Sequence, residues 1–203
     1  MVMGGSVTCA WWSARGPGGS VGVVPRPPPR CGAEGRLFAH DRVLSLTDGA
    51  RMPARVWSAQ GAPRARLLAL HGFNDSRDAW EAAGPVLAAQ GITVIAPDVR
   101  GFGGTAERGR WPGRARLVAD LGEEVAILKH EASDMPLYLA GESMGGAIVM
   151  LFMAQPEAAS VAGSVLLAPA IWNMGPGVQA PLAVMATLFP DHEVTGRELP
   201  GHI

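Results

Sequence analysis

The apolar residues of this chain fall in short runs between turn signals, and their period changes along its length. Val43–Thr47 and Met52–Trp57 read as two strands joined across Asp48-Gly49, a hairpin signal. Pro53 in the second run implies an edge position, because proline brings no N–H to a ladder. Arg66–Leu70 is a short continuous apolar run, the form of a strand covered on both faces. Residues 74–91 hold a loop and a helix, with Trp80 inward, Pro85 at the first helical position and Gly91 as the stop. Ile92–Ala96 is a fourth strand. Arg114–Ser133 is the clearest helix: Leu117, Leu121, Val125 and Leu128 share a face, with Asp120, Glu123 and Glu124 elsewhere on the wheel. Pro136 opens a fifth strand that rises into Gly141, and a second apolar run leaves from Gly146 as a helix to about Gln155. Ser164–Ala168 is a sixth strand. Strands alternating with helices predict an α/β fold with a mostly parallel sheet and helices on both faces.

The ends read differently. Met1 to about Arg36 is rich in Gly, Pro, Ser and Arg, has no period, and is expected to be disordered. The ordered domain is expected over 37–203. After Pro169 the pattern shifts to Trp172, Met174, several Gly and Pro, and an apolar helix around Pro181–Phe189. No further strand is predicted before Ile203.

Composition narrows the classes. The 203 residues suit one domain with a real core; 48% are apolar, and the formal net charge is −1. No run of like charge suggests a nucleic-acid surface. Cys9 and Cys31 both lie in the first segment and frame neither a disulfide scaffold nor a structural zinc site. No run of eighteen apolar residues exists, so no membrane span is expected. Val7–Trp12 is short and follows no basic residue, which favours the cytoplasm. Export or lipid anchoring is the alternative, through a leader obscured by a wrongly chosen start.

The chemistry concentrates in Gly141-Glu142-Ser143-Met144-Gly145, a G-x-S-x-G with a strand before it and a helix after. A sharp strand-to-helix turn projects the serine alone, while Gly141 and Gly145 keep side chains out of its way. The following helix aims its positive end at the site, and the Met144 N–H is freed to bind an oxyanion. His71-Gly72-Phe73 ends a neighbouring strand: Gly72 admits close approach of a carbonyl, and the Phe73 N–H is the second oxyanion donor. His71 is expected to shape that loop rather than act as base. Asp98 and Arg100 follow the fourth strand. They read either as a substrate-side charge pair or, in preference, as braces: Asp98 bonding loop backbone, Arg100 holding the turn. Glu142 is expected as a buried or half-buried loop anchor.

His71-Gly72-Phe73, Asp98-x-Arg100-Gly101-x-Gly103 and Gly141-Glu142-Ser143-Met144-Gly145-Gly146 together resemble the α/β-hydrolase superfamily. More narrowly, they are similar to its monoacylglycerol lipase and lysophospholipase-like branch, filed with serine aminopeptidase-type hydrolases. The likeness covers about Leu37 to Pro169. It implies an eight-stranded, mostly parallel sheet, no metal or organic cofactor, and a small-molecule ester or lysolipid substrate. It also implies a cap after the sixth strand; residues 171–203 fit its start, with Val178, Leu182, Met185 and Phe189 as an inward face. A simple packing helix is the alternative there.

The chain departs from that pattern after the serine. The triad order is Ser, acid, His, yet beyond Ser143 the only aspartate is Asp191 and the only histidines are His192 and His202. No predicted strand carries any of these to the site. The expectation is a truncated fold, with the last strands absent. It would be a serine ester hydrolase by resemblance, or else a catalytically incomplete remnant or binding protein. Oligomeric state is left open.

Overall fold

The computed structural model describes residues 39–171 and, singly, Gly177, Val184 and Leu188. The segment 1–36, the apolar helix around Pro181–Phe189, and Asp191, His192 and His202 therefore lie outside the described residues, except at those single positions. The described stretch falls in the unit Cys31–Ile203; the other unit, Met1–Arg30, is outside it.

Six strands form one sheet: β1 (Ala39–Ser45), β2 (Arg51–Trp57), β3 (Ala65–Leu70), β4 (Ile92–Pro97), β5 (Leu137–Glu142) and β6 (Gly163–Leu167). Their order across the sheet is β1-β2-β4-β3-β5-β6. β2 is antiparallel to both of its neighbours, β1 and β4, while β4, β3, β5 and β6 run parallel. Within residues 39–171 the α-helices are α1 (Gly84–Ala89), α2 (Arg114–Glu131) and α3 (Met144–Met153). The carboxyl ends of the parallel strands share one rim, where the loops of interest gather.

Alternation along the central strands explains why both faces are covered. In β3, Leu68 and Leu70 join one buried cluster, which also takes Leu117, Leu121, Val125 and Leu128 of α2 and Ile148, Val149 and Phe152 of α3. Leu67 and Ala69 face the other way, into a second cluster with Trp57, Trp80 and Ala88 of α1. One strand thus supplies apolar side chains to two layers at its natural period of two. Trp80 is buried as expected, though on a 3-10 turn over Arg77–Trp80. Pro85 is the second residue of α1, and Gly91 ends that helical segment with φ +80°.

Two expectations need correction. Pro53 is not on an edge strand, because β2 lies between β1 and β4. Its carbonyl accepts from Asp98 N at 2.7 Å, while the β2–β4 ladder begins only at Ala54↔Pro97. A strand residue points its N–H and C=O to the same side, so the missing donor falls just past the end of β4 and disrupts nothing. The second correction concerns α2, where Asp120 and Glu124 are buried with the leucines. Asp120 stands three residues after Leu117, and Glu124 three after Leu121, so both share the apolar stripe.

Candidate active site

The turn between β5 and α3 holds strained backbone at the rim. Ser143 sits there with φ 49° and ψ −111°, a conformation costing roughly 1–3 kcal/mol for a residue with a side chain. The surroundings over-determine it. Ser143 N donates to Leu167 O at 2.9 Å, and its carbonyl accepts from Ala170 N at 2.9 Å and Ala147 N at 3.1 Å. Glycines let the turn close. A Cβ on Gly141 would lie 2.4 Å from the Gly145 carbonyl, and one on Gly145 would lie 2.6 Å from Leu70 O and 2.7 Å from His71 O. No side chain fits at either position.

The same packing brings the loop after β3 against the turn. A Cβ on Gly72 would stand 3.5 Å from the Cβ of Ser143, so the Gly72 backbone lies directly beside the serine. The N–H groups of Phe73 and Met144 donate to no described residue. Met144 opens α3, so the positive end of that helix is at the turn.

His71 is fully buried. Its Nε2 accepts from Val99 N at 2.9 Å, which requires the proton on Nδ1, and Nδ1–H donates to Gly72 O at 2.7 Å. Burial lowers its pKa below the ordinary histidine value, only partly opposed by the Gly72 carbonyl and by Asp98, Asp75 and Glu142. The ring therefore stays neutral, tying the β3 and β4 loops together with both nitrogens engaged. Among the described residues, no histidine hydrogen-bonds the Ser143 hydroxyl.

Asp98 and Arg100 do not pair with each other. Asp98, also fully buried, accepts from Arg77 N at 2.7 Å, Arg77 Nη1 at 2.6 Å and Gly104 N at 2.7 Å. Gly103, at φ +55°, closes over this carboxylate; a Cβ there would meet its Cγ at 2.3 Å. Arg100 turns to α2 instead. It grips Asp120 through Nε and Nη2 at 2.7 and 2.8 Å and reaches Asp48 of the hairpin turn at 2.8 Å. These hydrogen bonds and charges outweigh desolvation and keep Arg100 protonated. Glu142 is exposed, not the buried anchor expected: it is the last residue of β5, and its side chain leaves the sheet at the open rim.

Some residues of the rim were missed by the sequence reading. Arg77 and Asp120, the true partners of Asp98 and Arg100, come from distant loops and helices. Phe102 packs edge-on against His71, Phe73 and Trp111, at centroid distances of 6.1, 5.3 and 6.4 Å. The i+3 spacing from Leu117 was the one signal that could have placed Asp120.

Comparison with known proteins agrees with this architecture. Residues 61–203 match the family described as serine aminopeptidase, S33. Monoglyceride lipase of Homo sapiens is 30% identical over 129 residues, 63% of this chain and 42% of that protein. Monoacylglycerol lipase of Mycolicibacterium smegmatis is 28% identical over 154 residues, 75% of this chain and 52% of that protein. The chain thus spans about half the length of the curated relatives it matches. Among solved structures, a soluble variant of the Saccharomyces cerevisiae monoglyceride lipase, in complex with a substrate analog, superposes with TM-score 0.64 at 23% identity. That match covers 83% of this chain and 56% of the yeast chain and speaks for the fold. The parallel sheet and the strained strand-to-helix turn are those of the α/β-hydrolase fold, and the family match makes this chain a member of the serine aminopeptidase (S33) family.

Proposed function

We propose that this chain carries the nucleophile and oxyanion hole of a serine hydrolase acting on carboxylic esters of the monoacylglycerol or lysophospholipid class. The observation that carries the reading is Ser143 itself: a non-glycine residue held at φ 49° on the β5–α3 turn, with Gly72 against it. Ser143 Oγ attacks the ester carbonyl carbon as a base removes its proton. The N–H groups of Phe73 and Met144 receive the resulting oxyanion, each such donor being worth on the order of 3 kcal/mol in the transition state. Collapse expels the alcohol, which takes up the proton, and leaves an acyl-serine. Water then attacks the acyl-serine, releasing the carboxylic acid and restoring Ser143. Gly141, Gly145 and Gly72 shape the turn, while His71, Asp98 and Arg100 hold the loops around it.

A second reading has its own support. Among the described residues no histidine serves Ser143, and His71 has both nitrogens committed. A chain without a base would be a non-catalytic relative that retains the fold core. Hydrolysis of a monoacylglycerol, a lysophospholipid and an aminoacyl amide, each with wild type and Ser143→Ala, separates the readings. Ester turnover lost in Ser143→Ala supports the hydrolase. Turnover of the amide alone redirects it to a peptidase. Equal background with both proteins supports the non-catalytic relative.

A further inference from the structure

The loop between β4 and α2 carries a surface that the ester chemistry does not use. Trp111 is 58% exposed and Phe73 68%, with buried Phe102 packed edge-on to both. Arg108, Arg110 and Arg114 are exposed around Trp111, and none of the three forms an ion pair with a described residue. By contrast, the next arginine, Arg116, is engaged with Asp120 and Glu123. Glu107 is the one acidic side chain over residues 105–114, and it leans toward Arg100 at 3.8 Å.

This loop is held in shape. Gly109 N donates to Gly101 O at 2.9 Å, and Arg110 N to Glu107 O at 3.0 Å. The Arg110 carbonyl presses so close to Gly101 that a Cβ there would lie 2.2 Å away. Fold stability explains neither the exposed indole nor three exposed arginines within three residues of it in the chain that have no carboxylate partner among the described residues. An anionic phospholipid surface answers both. Tryptophan favours the headgroup level, where its ring is half in hydrocarbon, and guanidinium groups bind phosphate in its plane.

We propose that the Arg108–Arg114 loop, with Phe73 beside it, docks the protein on an anionic phospholipid surface. Trp111 and Phe73 enter the interface while Arg108, Arg110 and Arg114 meet lipid phosphates. Because Phe102 links this patch to the His71–Phe73 loop, docking sets the rim that bears Ser143 against the lipid. In that respect the inference rests on the lipid-ester reading, by naming where substrate is drawn from; the binding itself does not need Ser143.

The test is co-sedimentation of the full chain with phosphatidylcholine vesicles, with and without phosphatidylglycerol, at low salt. Binding is expected only to the anionic vesicles. Arg108→Gln/Arg110→Gln/Arg114→Gln should weaken it about 100-fold, at roughly fivefold per arginine. Trp111→Phe should remove the fluorescence quenching caused by brominated lipid. Ser143→Ala should bind like wild type, so a failed hydrolase reading and a failed docking reading remain distinct. Equal binding by wild type and the triple variant, or no preference for anionic vesicles, would overturn the proposal. So would lipid-independent self-association abolished by Trp111→Ala, which would make the patch a contact between copies.

Discussion

Gly103 illustrates how narrowly single residues are specified at the rim. It combines φ +55° with a Cβ position 2.3 Å from the Asp98 carboxylate carbon. Gly49, in the hairpin turn, also has positive φ, at +85°, but nothing lies within 4 Å of its Cβ position. Gly103→Ala should therefore lose about 3 kcal/mol by urea unfolding, from backbone strain plus the clash, whereas Gly49→Ala should lose about 1 kcal/mol. Equal losses would mean that the Asp98 cradle does not constrain Gly103. The glycines were legible in the sequence because their demands are local, each set by a turn the motif spells out. The partners of Asp98 and Arg100 were not. Arg77 and Asp120 stand 21 and 20 residues away from them, and only the closed fold says which cation meets which carboxylate.

At the scale of elements, β6 stands out. It pairs with β5 on one side and, among the described residues, with no strand on the other. Val165, Leu166 and Leu167 are exposed along it, so both faces and one edge of an apolar strand are open, a template for pairing with another chain. Val165→Lys together with Leu167→Lys should raise the fraction of monomer in size-exclusion chromatography with light scattering. The Leu167 carbonyl that receives Ser143 N is backbone and is retained. An unchanged aggregate fraction would remove β6 as the cause. The six strands were readable in order from apolar residues between turn signals, but β1 only over Val43–Ser45, because its first half carries the polar His40, Asp41 and Arg42 and the strand ends before Leu46. The position of Pro53 was not, since its tolerance depends on where β4 stops, a matter of register between strands about forty residues apart in the chain.

Across the whole molecule, two buried titratable groups push stability in opposite directions with pH. Glu124 lies among the leucines of α2, where burial first, and then the neighbouring Asp120 charge, raise its pKa from 4.5 to about 8. The folded state binds that proton more tightly than the unfolded chain. The stability it contributes is thus complete below pH 4.5 and is lost as pH rises toward 8. His71 does the reverse: burial lowers its pKa below 6.5, so its contribution is complete above pH 6.5 and is lost as pH falls through its folded-state value. Glu124→Gln should flatten the loss between pH 4.5 and 8, a loss of a few kcal/mol, and leave the His71 acid limb in place. Urea midpoints across that range would show it; an unchanged slope would mean that Glu124 ionises freely in the folded chain. The i+3 spacing from Leu117 and Leu121 puts both carboxylates in the apolar stripe, but the size of the shift depends on the covering elements, which only the closed fold supplies.

An activated Ser143 reacts with a fluorophosphonate, so labelling of the folded chain with that probe is the decisive measurement. One label per chain is expected, located by mass spectrometry on the peptide containing Ser143 and absent from Ser143→Ala. A folded sample that takes no label, or one labelled equally in Ser143→Ala, would contradict it and leave the chain as a non-catalytic relative of the family.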